Sequence, residues 1–230
     1  MANTGFFHHI GTFLLFVATI LLIVTCISAP VVHDLGLMKV ELGGSNRAAV
    51  HTTINFGTFG YCVNDVNGHA CSPSELGYSP ADVMSREDGT EFSDYAESTT
   101  RGLTKAFVLH PVACALNFVA FMLALGAGMV GSFLASVVAL TAFLVTAVAM
   151  IIDFVLFSIV KNNINDNGTG ASAYYGAAAW TILVSAICSL IGTIIVFFTC
   201  CSGRLHKRRQ VTTKQEFVSP PRTTRRRRWF

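Results

Sequence analysis

Residues 106–152 read AFVLHPVACALNFVAFMLALGAGMVGSFLASVVALTAFLVTAVAMII, a run of 47 without one Asp, Glu, Lys or Arg. A single helix of that length would extend roughly 70 Å, more than twice the roughly 30 Å of bilayer hydrocarbon. The run therefore crosses a membrane twice, and the glycine-rich GAGMVGS at residues 126–132 is where it turns. Spans are expected at residues 106–127 and 133–160, with a short turn at 128–132.

Two further stretches, residues 1–33 and 167–203, are equally free of those four residue types. Residues 10–29, IGTFLLFVATILLIVTCISA, form an apolar run stopped by Pro30. Residues 174–200 supply a fourth span, opening on Tyr174 and Tyr175 at the level where interfacial aromatics are expected. The overall 13% of charged residues, against about 25% in soluble domains, is therefore an average over two materials. A soluble globular enzyme is excluded, and so is a disordered chain, which would be poor in apolar residues, whereas here they make up 52%. The fold expected is an all-α membrane fold, a four-helix transmembrane bundle.

Charge orients it. Ten of the 16 Lys and Arg follow Cys201, and ten of the 13 Asp and Glu lie between Asp34 and Glu97. Basic residues beside a span mark the cytoplasmic side, so the tail at 201–230 is expected inside, and four crossings put residues 1–9 inside as well. Segments 30–105 and 161–173 are then outside. A cleaved signal peptide ending at Ala29 is the rival reading of the first run. The missing basic n-region and the length of the apolar run favour a retained helix. Asn167-Gly168-Thr169 is an N-glycosylation sequon on the outer side.

The long outer segment carries strand patterns. His51-Thr52-Thr53-Ile54-Asn55-Phe56 and Met38-Lys39-Val40-Glu41-Leu42 alternate polar and apolar residues, as half-buried strands do. Residues 72–100, rich in Ser, Glu, Asp and Pro, read as a mobile excursion. Cys62 and Cys71 are the two cysteines of this segment, separated by a loop with an Asn67-Gly68 turn. Outside the cell, such a pair reads as a disulfide; zinc held by Cys62, Cys71 and His69 is the alternative. Cys26, Cys114 and Cys188 lie within spans, and Cys200 and Cys201 sit at the cytoplasmic membrane edge as palmitoylation candidates.

Four spans, a long first outer loop, and Phe56-Gly57-Thr58-Phe59-Gly60-Tyr61-Cys62 followed by Cys71 resemble the claudin-like superfamily. The chain is most similar to its fungal branch, the PalI-type pH-response regulators and the cortical-patch (eisosome) tetraspanners. Ile152-Asp153-Phe154-Val155-Leu156-Phe157 with Lys161, and the small-residue run from Gly176 to Trp180, extend that likeness over about residues 8–202. Phe59 stands where claudins have Trp, which sets the chain apart from true claudins. The resemblance implies a small disulfide-bonded, β-containing extracellular domain on the bundle. It also implies a non-enzymatic role in cortical membrane-domain organisation, cell-wall integrity or ambient-pH signalling.

Asp153 is the one formal charge inside a span. Intramembrane carboxylates cost about 2.5–3.5 kcal/mol at a helix centre and are by default functional hypotheses. His110 and Asn117 of the second span and Thr181 of the fourth lie at similar depth. These four residues read either as a protonatable site, giving a small ion or proton transporter or channel, or as one polar knot fastening the bundle. His33, His51 and His69 lie outside, where a histidine is the side chain that charges near neutral pH; solvated surface is their plainer reading.

No Walker Gly-Lys-Ser/Thr, Gly-x-Ser-x-Gly or His-Glu-x-x-His motif is present. No enzyme, cofactor, nucleic acid or small-molecule substrate is expected. The terminal Arg225, Arg226, Arg227, Arg228 and Trp229 suit an anionic leaflet or a protein partner. The chain is therefore read as a multi-pass plasma-membrane organiser or accessory subunit. Its partners would be membrane proteins and anionic lipid, with self-association left open.

Overall fold

A computed structural model of the chain describes residues 3–42, 52–65, 68–87, 89–126, 129–166 and 170–216. Four long helices carry the apolar runs: α1 (Asn3–Cys26), α4 (Leu109–Leu125), α5 (Met129–Asp166) and α6 (Ala177–Glu216). The helical stretches Phe6–Cys26, Asp94–Leu125, Phe133–Asp166 and Ala177–Thr199 are each long and apolar enough to cross a membrane. Between α1 and α4 lie strands β1 (Met38–Glu41), β2 (Thr53–Phe56), β3 (Tyr61–Asp65) and β4 (Gly68–Cys71), then helices α2 (Pro80–Glu87) and α3 (Asp94–Lys105). A fifth strand, β5 (Ser172–Tyr175), separates α5 from α6.

The strands form one antiparallel sheet in the order β4-β3-β2-β1-β5. In β1, Met38 and Val40 point inward, while Lys39 and Glu41 point out and pair at 3.0 Å. β5 pairs with β1, Met38 opposite Tyr175, so the two loops on this side are sewn into one sheet. Tyr174 and Tyr175 therefore belong to a strand, and α6 begins at Ala177.

The expected mobile excursion at residues 72–100 is corrected by α2 and α3. The Ser93 side chain caps α3 by accepting from the Ala96 amide at 3.3 Å, with Asp94 and Glu97 in the first turn. Polar composition hid an amphipathic pattern, because Val83 and Met84 of α2 are buried against the sheet. α3 continues through a 3-10 turn (Ala106–Val108) into α4, making the second span the end of a longer helical segment.

One apolar core joins sheet and bundle. Met38, Val40, Ile54 and Phe56 of the strands pack with Phe107 and with Leu156, Phe157, Val160 and Ile164 of α5. Below that level the interior is lined by small residues: Ala113, Ala120 and Ala124 of α4 and Ala135, Ala139, Ala142 and Ala149 of α5 are buried. Larger side chains such as Phe118, Leu144 and Ile187 face outward. Lipid is as apolar as leucine, so close approach of small residues rather than water exclusion holds such helices together. Where α1 meets α6, a β-carbon on Gly192 would lie 3.1 Å from the Gly11 carbonyl oxygen.

Candidate functional site

The Phe56-Gly57-Thr58-Phe59-Gly60-Tyr61 stretch is the turn between β2 and β3, closed by the Gly57 amide donating to Gly60 O at 2.8 Å. It docks on the end of α1. The Thr58 hydroxyl donates to Thr25 O at 2.9 Å, and its amide donates to Ser28 Oγ at 3.0 Å. Helix ends leave carbonyls without intrahelical partners, and Thr58 fills one of these. Tyr78, half-buried after β4, donates its hydroxyl to Gly57 O at 2.7 Å and stacks on Phe56 with ring centroids 6.4 Å apart. Burial, then the nearby Asp153 charge, pushes the Tyr78 phenol above its usual range.

Directly beneath lies the buried pair. His110, in the first turn of α4, places Nε2 3.0 Å from Asp153 Oδ2 of α5, with the two side chains 0% and 1% exposed. The His110 Nδ1 lies 3.1 Å from Phe107 O, and the ring packs edge-on against the Phe107 ring at 5.5 Å. Asp153 Oδ1 is buried without a hydrogen-bond partner. Phe107, Leu156 and Phe157, flanking the pair in sequence, belong to the sheet-domain core. The carboxylate thus sits at the seam between sheet and bundle.

Asn117 and Thr181 do not join it. Asn117 Nδ2 donates to Thr146 Oγ1 at 3.1 Å and to Ala113 O at 3.0 Å, and its Oδ1 accepts from the Ser189 hydroxyl at 2.9 Å. Thr181 lies 2.9 Å from the Thr25 hydroxyl. Ser185 donates to Ala18 O at 3.0 Å, and at the opposite end of the bundle His8 Nε2 lies 3.1 Å from Ala124 O. The single polar knot is replaced by separate polar layers, because rotation about each helix, as well as depth, decides who meets. Thr146, Ser189, Ser185, His8 and Tyr78 escaped the sequence reading. For Thr146 a signal exists: it lies seven residues before Asp153 as Asn117 lies seven after His110. In antiparallel helices that spacing brings both pairs to matching levels, about 10.5 Å apart.

Cys62 and Cys71 are joined by a disulfide across β3 and β4. With both thiols consumed the zinc alternative falls, and no cluster of three metal-ligating side chains occurs among the described residues. His33 and His69 stack with centroids 4.5 Å apart, His69 Nδ1 lies 2.8 Å from Asn64 Oδ1, and His33 Nε2 lies 3.5 Å from Asp34. His51, Asn167, the side chains of Cys200 and Cys201, and Arg225 through Trp229 lie outside the described residues.

The sequence pattern of the SUR7/PalI family matches residues 7–208, a stretch that takes in all four spans and the whole sheet domain. The chain belongs to the SUR7/PalI family. Among curated relatives, the pH-response regulator protein palI/RIM9 of Pyricularia oryzae is 26% identical over 144 residues, covering 60% of this chain and 18% of that protein. The palI/prr-5 regulator of Neurospora crassa is 31% identical over 112 residues, covering 49% of this chain and 14% of that protein. The palI/RIM9 regulator of Emericella nidulans is 27% identical over 118 residues, covering 50% and 18% respectively. This SUR7/PalI chain thus matches less than a fifth of each of those regulators' length. The polar layers described above all lie within the matched stretch.

Proposed function

We propose that this chain is a non-enzymatic plasma-membrane organiser or accessory subunit acting in ambient-pH signalling. The observation that carries the reading is the single core shared by the sheet and the upper part of α5. A sheet rooted in the spans is suited to present a fixed surface to a partner membrane protein and to pass changes there into the bundle. The regulators it resembles are named for pH response. In this reading the disulfide-bonded sheet faces outward and both termini lie in the cytoplasm. The basic residues of the tail, ten after Cys201, bind anionic lipid or a cortical protein. Cortical-domain organisation and cell-wall upkeep are the neighbouring roles within the same class.

The test is removal of the chain from its host and return of tagged protein. Loss of the transcriptional response to a pH shift, restored by the chain and accompanied by a cross-linked membrane partner, is the expected result. A normal response in the deletion strain overturns the reading.

A transporter built on Asp153 is the second reading, favoured by the unpartnered buried Oδ1. Against it, the layer below is closed: each hydrogen-bonding group of Asn117 is already engaged by Ala113, Thr146 or Ser189. Proton or cation flux in proteoliposomes, lost in Asp153→Asn, is what that reading requires.

A further inference from the structure

The hydrogen bonds around His110 fix how many protons the buried pair holds. The Phe107 carbonyl oxygen can only accept, so His110 Nδ1 carries a proton. A neutral imidazole with that proton presents a bare lone pair at Nε2. An ionised carboxylate is likewise acceptor-only, and two acceptors 3.0 Å apart repel rather than bond. One more proton must therefore lie between Nε2 and Oδ2, whether drawn on nitrogen as an ion pair or on oxygen as a neutral pair. Either way the pair is neutral in total, and loss of that proton leaves one net negative charge in a site sealed from water.

Among the described residues, the one side chain hydrogen-bonded to Asp153 is His110 itself. From the segment before α2 comes the Tyr78 phenol, whose proton already serves Gly57 O. Cys114, one turn along α4 from His110, lies against Thr19 of α1 and faces Cys26. α6 brings the Thr181 hydroxyl, paired with Thr25. Asp153 Oδ1, with no donor, is the oxygen that a bare carboxylate would leave unsolvated.

We propose that His110 and Asp153 form a binding site for one exchangeable proton, whose loss at alkaline pH loosens the seam seating the sheet domain on the bundle. The proton-binding chemistry stands by itself; its use as a pH signal rests on the function proposed above. The coupling is local. Phe107, three residues before His110, and Leu156 and Phe157, one turn after Asp153, are core residues of the sheet domain. Separation of α4 from α5 at the pair therefore disturbs that core first.

Opening the seam lets water solvate both groups and release the shared proton, whereas the closed pair keeps it. Linkage then makes the closed-to-open ratio of the seam fall about tenfold per pH unit wherever the opened seam has released that proton and the closed pair has not. The experiment uses the full chain in nanodiscs. Hydrogen exchange, corrected for its intrinsic pH dependence, is followed at residues 107–113 and 150–157 and, as an internal reference, around Asn117 and Ser189. Protection is expected to fall at the seam as pH rises while the reference layer holds; parallel loss at both places, or none at either, overturns the proposal. Asp153→Asn offers an amide N–H to Nε2 with no titrating proton, so its seam should hold across the same range. If that variant folds and still loosens with pH, the proposal fails; if it does not fold, the exchange pattern of the unmodified chain decides alone. Normal pH signalling in cells carrying Asp153→Asn would remove the proton switch and leave the proposed function standing.

Discussion

Gly57 lies directly against the backbone of Ala29, so that a β-carbon on Gly57 would overlap the Ala29 carbonyl. The contact seats the β2–β3 turn on the end of α1, and Gly176 makes a matching approach to the backbone of Gly36 where β5 hands over to α6. Backbone cannot move aside as a flexible side-chain tip can. Gly57→Ala or Gly176→Ala should therefore cost about 1–3 kcal/mol or more, read as a lowered Tm and poor recovery of purified protein in detergent. An unchanged Tm in Gly57→Ala would show that the seat is looser than the contact implies.

The Asn117 layer should behave as interior glue. Ser189→Ala removes one donor to Asn117 Oδ1 and is expected to cost about 0.6 kcal/mol, up to about 1.7. Asn117→Leu strips Thr146 and Ser189 of a shared partner and should cost more. A double-mutant cycle between Asn117→Leu and Ser189→Ala, measured by unfolding in detergent, should give a coupling clearly above zero. Additive losses would mean that the two side chains do not act together.

The disulfide has a local task. The four β4 residues, Gly68–Cys71, are all exposed, and that strand pairs with β3 alone in the sheet. Closing a loop between cysteines nine positions apart contributes about 2–3 kcal/mol in the chain-entropy model. Cys62→Ser should raise hydrogen exchange in β3 and β4 while β1 and β5, on the far side of the sheet, stay protected. Free-thiol labelling of either cysteine in unreduced intact cells would contradict the pairing.

Tyr78 gives a pH dependence whose sign can be worked out. Its phenol is raised above the unfolded value, so folding favours the protonated form. That contribution is fully present below about pH 10, where an unfolded tyrosine titrates, and is lost as pH climbs toward the folded value. Tyr78→Phe should lose the bond to Gly57 O, costing about 1 kcal/mol at neutral pH. The gap to the parent should close in strongly alkaline solution. A gap that stays constant with pH would show that the phenolate is tolerated, and one that widens that the fold favours it.

The spans were legible because burial in lipid forbids charge, and that prohibition is visible residue by residue. β1 was legible because one face of it is wet; β2 was legible by its alternation in sequence, although its polar Asn55 is buried as well, with its amide donating to His33 O. β5 was not: Tyr174 and Tyr175 carry no local alternation, and their partner strand lies more than a hundred residues earlier, at Met38–Glu41. α2 hid for another reason, since Val83 and Met84 anchor a helix otherwise coloured by Ser, Asp, Arg and Glu. At the site, depth along the helices brought His110 to Asp153 but placed Asn117 and Thr181 equally near. Asn117 shares the face of His110 but lies two turns, about 10.5 Å, further along α4, level with Thr146, while Thr181 turns toward Thr25 of α1.

α6 runs unbroken for 40 residues, from the sheet's edge to Glu216. At about 1.5 Å per residue it is roughly 60 Å long, about twice the thickness it must cross. Only Gly176 stands between β5 and its first turn. The strand and the far end of the rod are thus mechanically one lever with its fulcrum in the bilayer. A tilt of a few degrees at the sheet sweeps the basic end sideways by several ångströms, so a partner gripping one face of the membrane could be felt on the other without any bond in the bundle being broken.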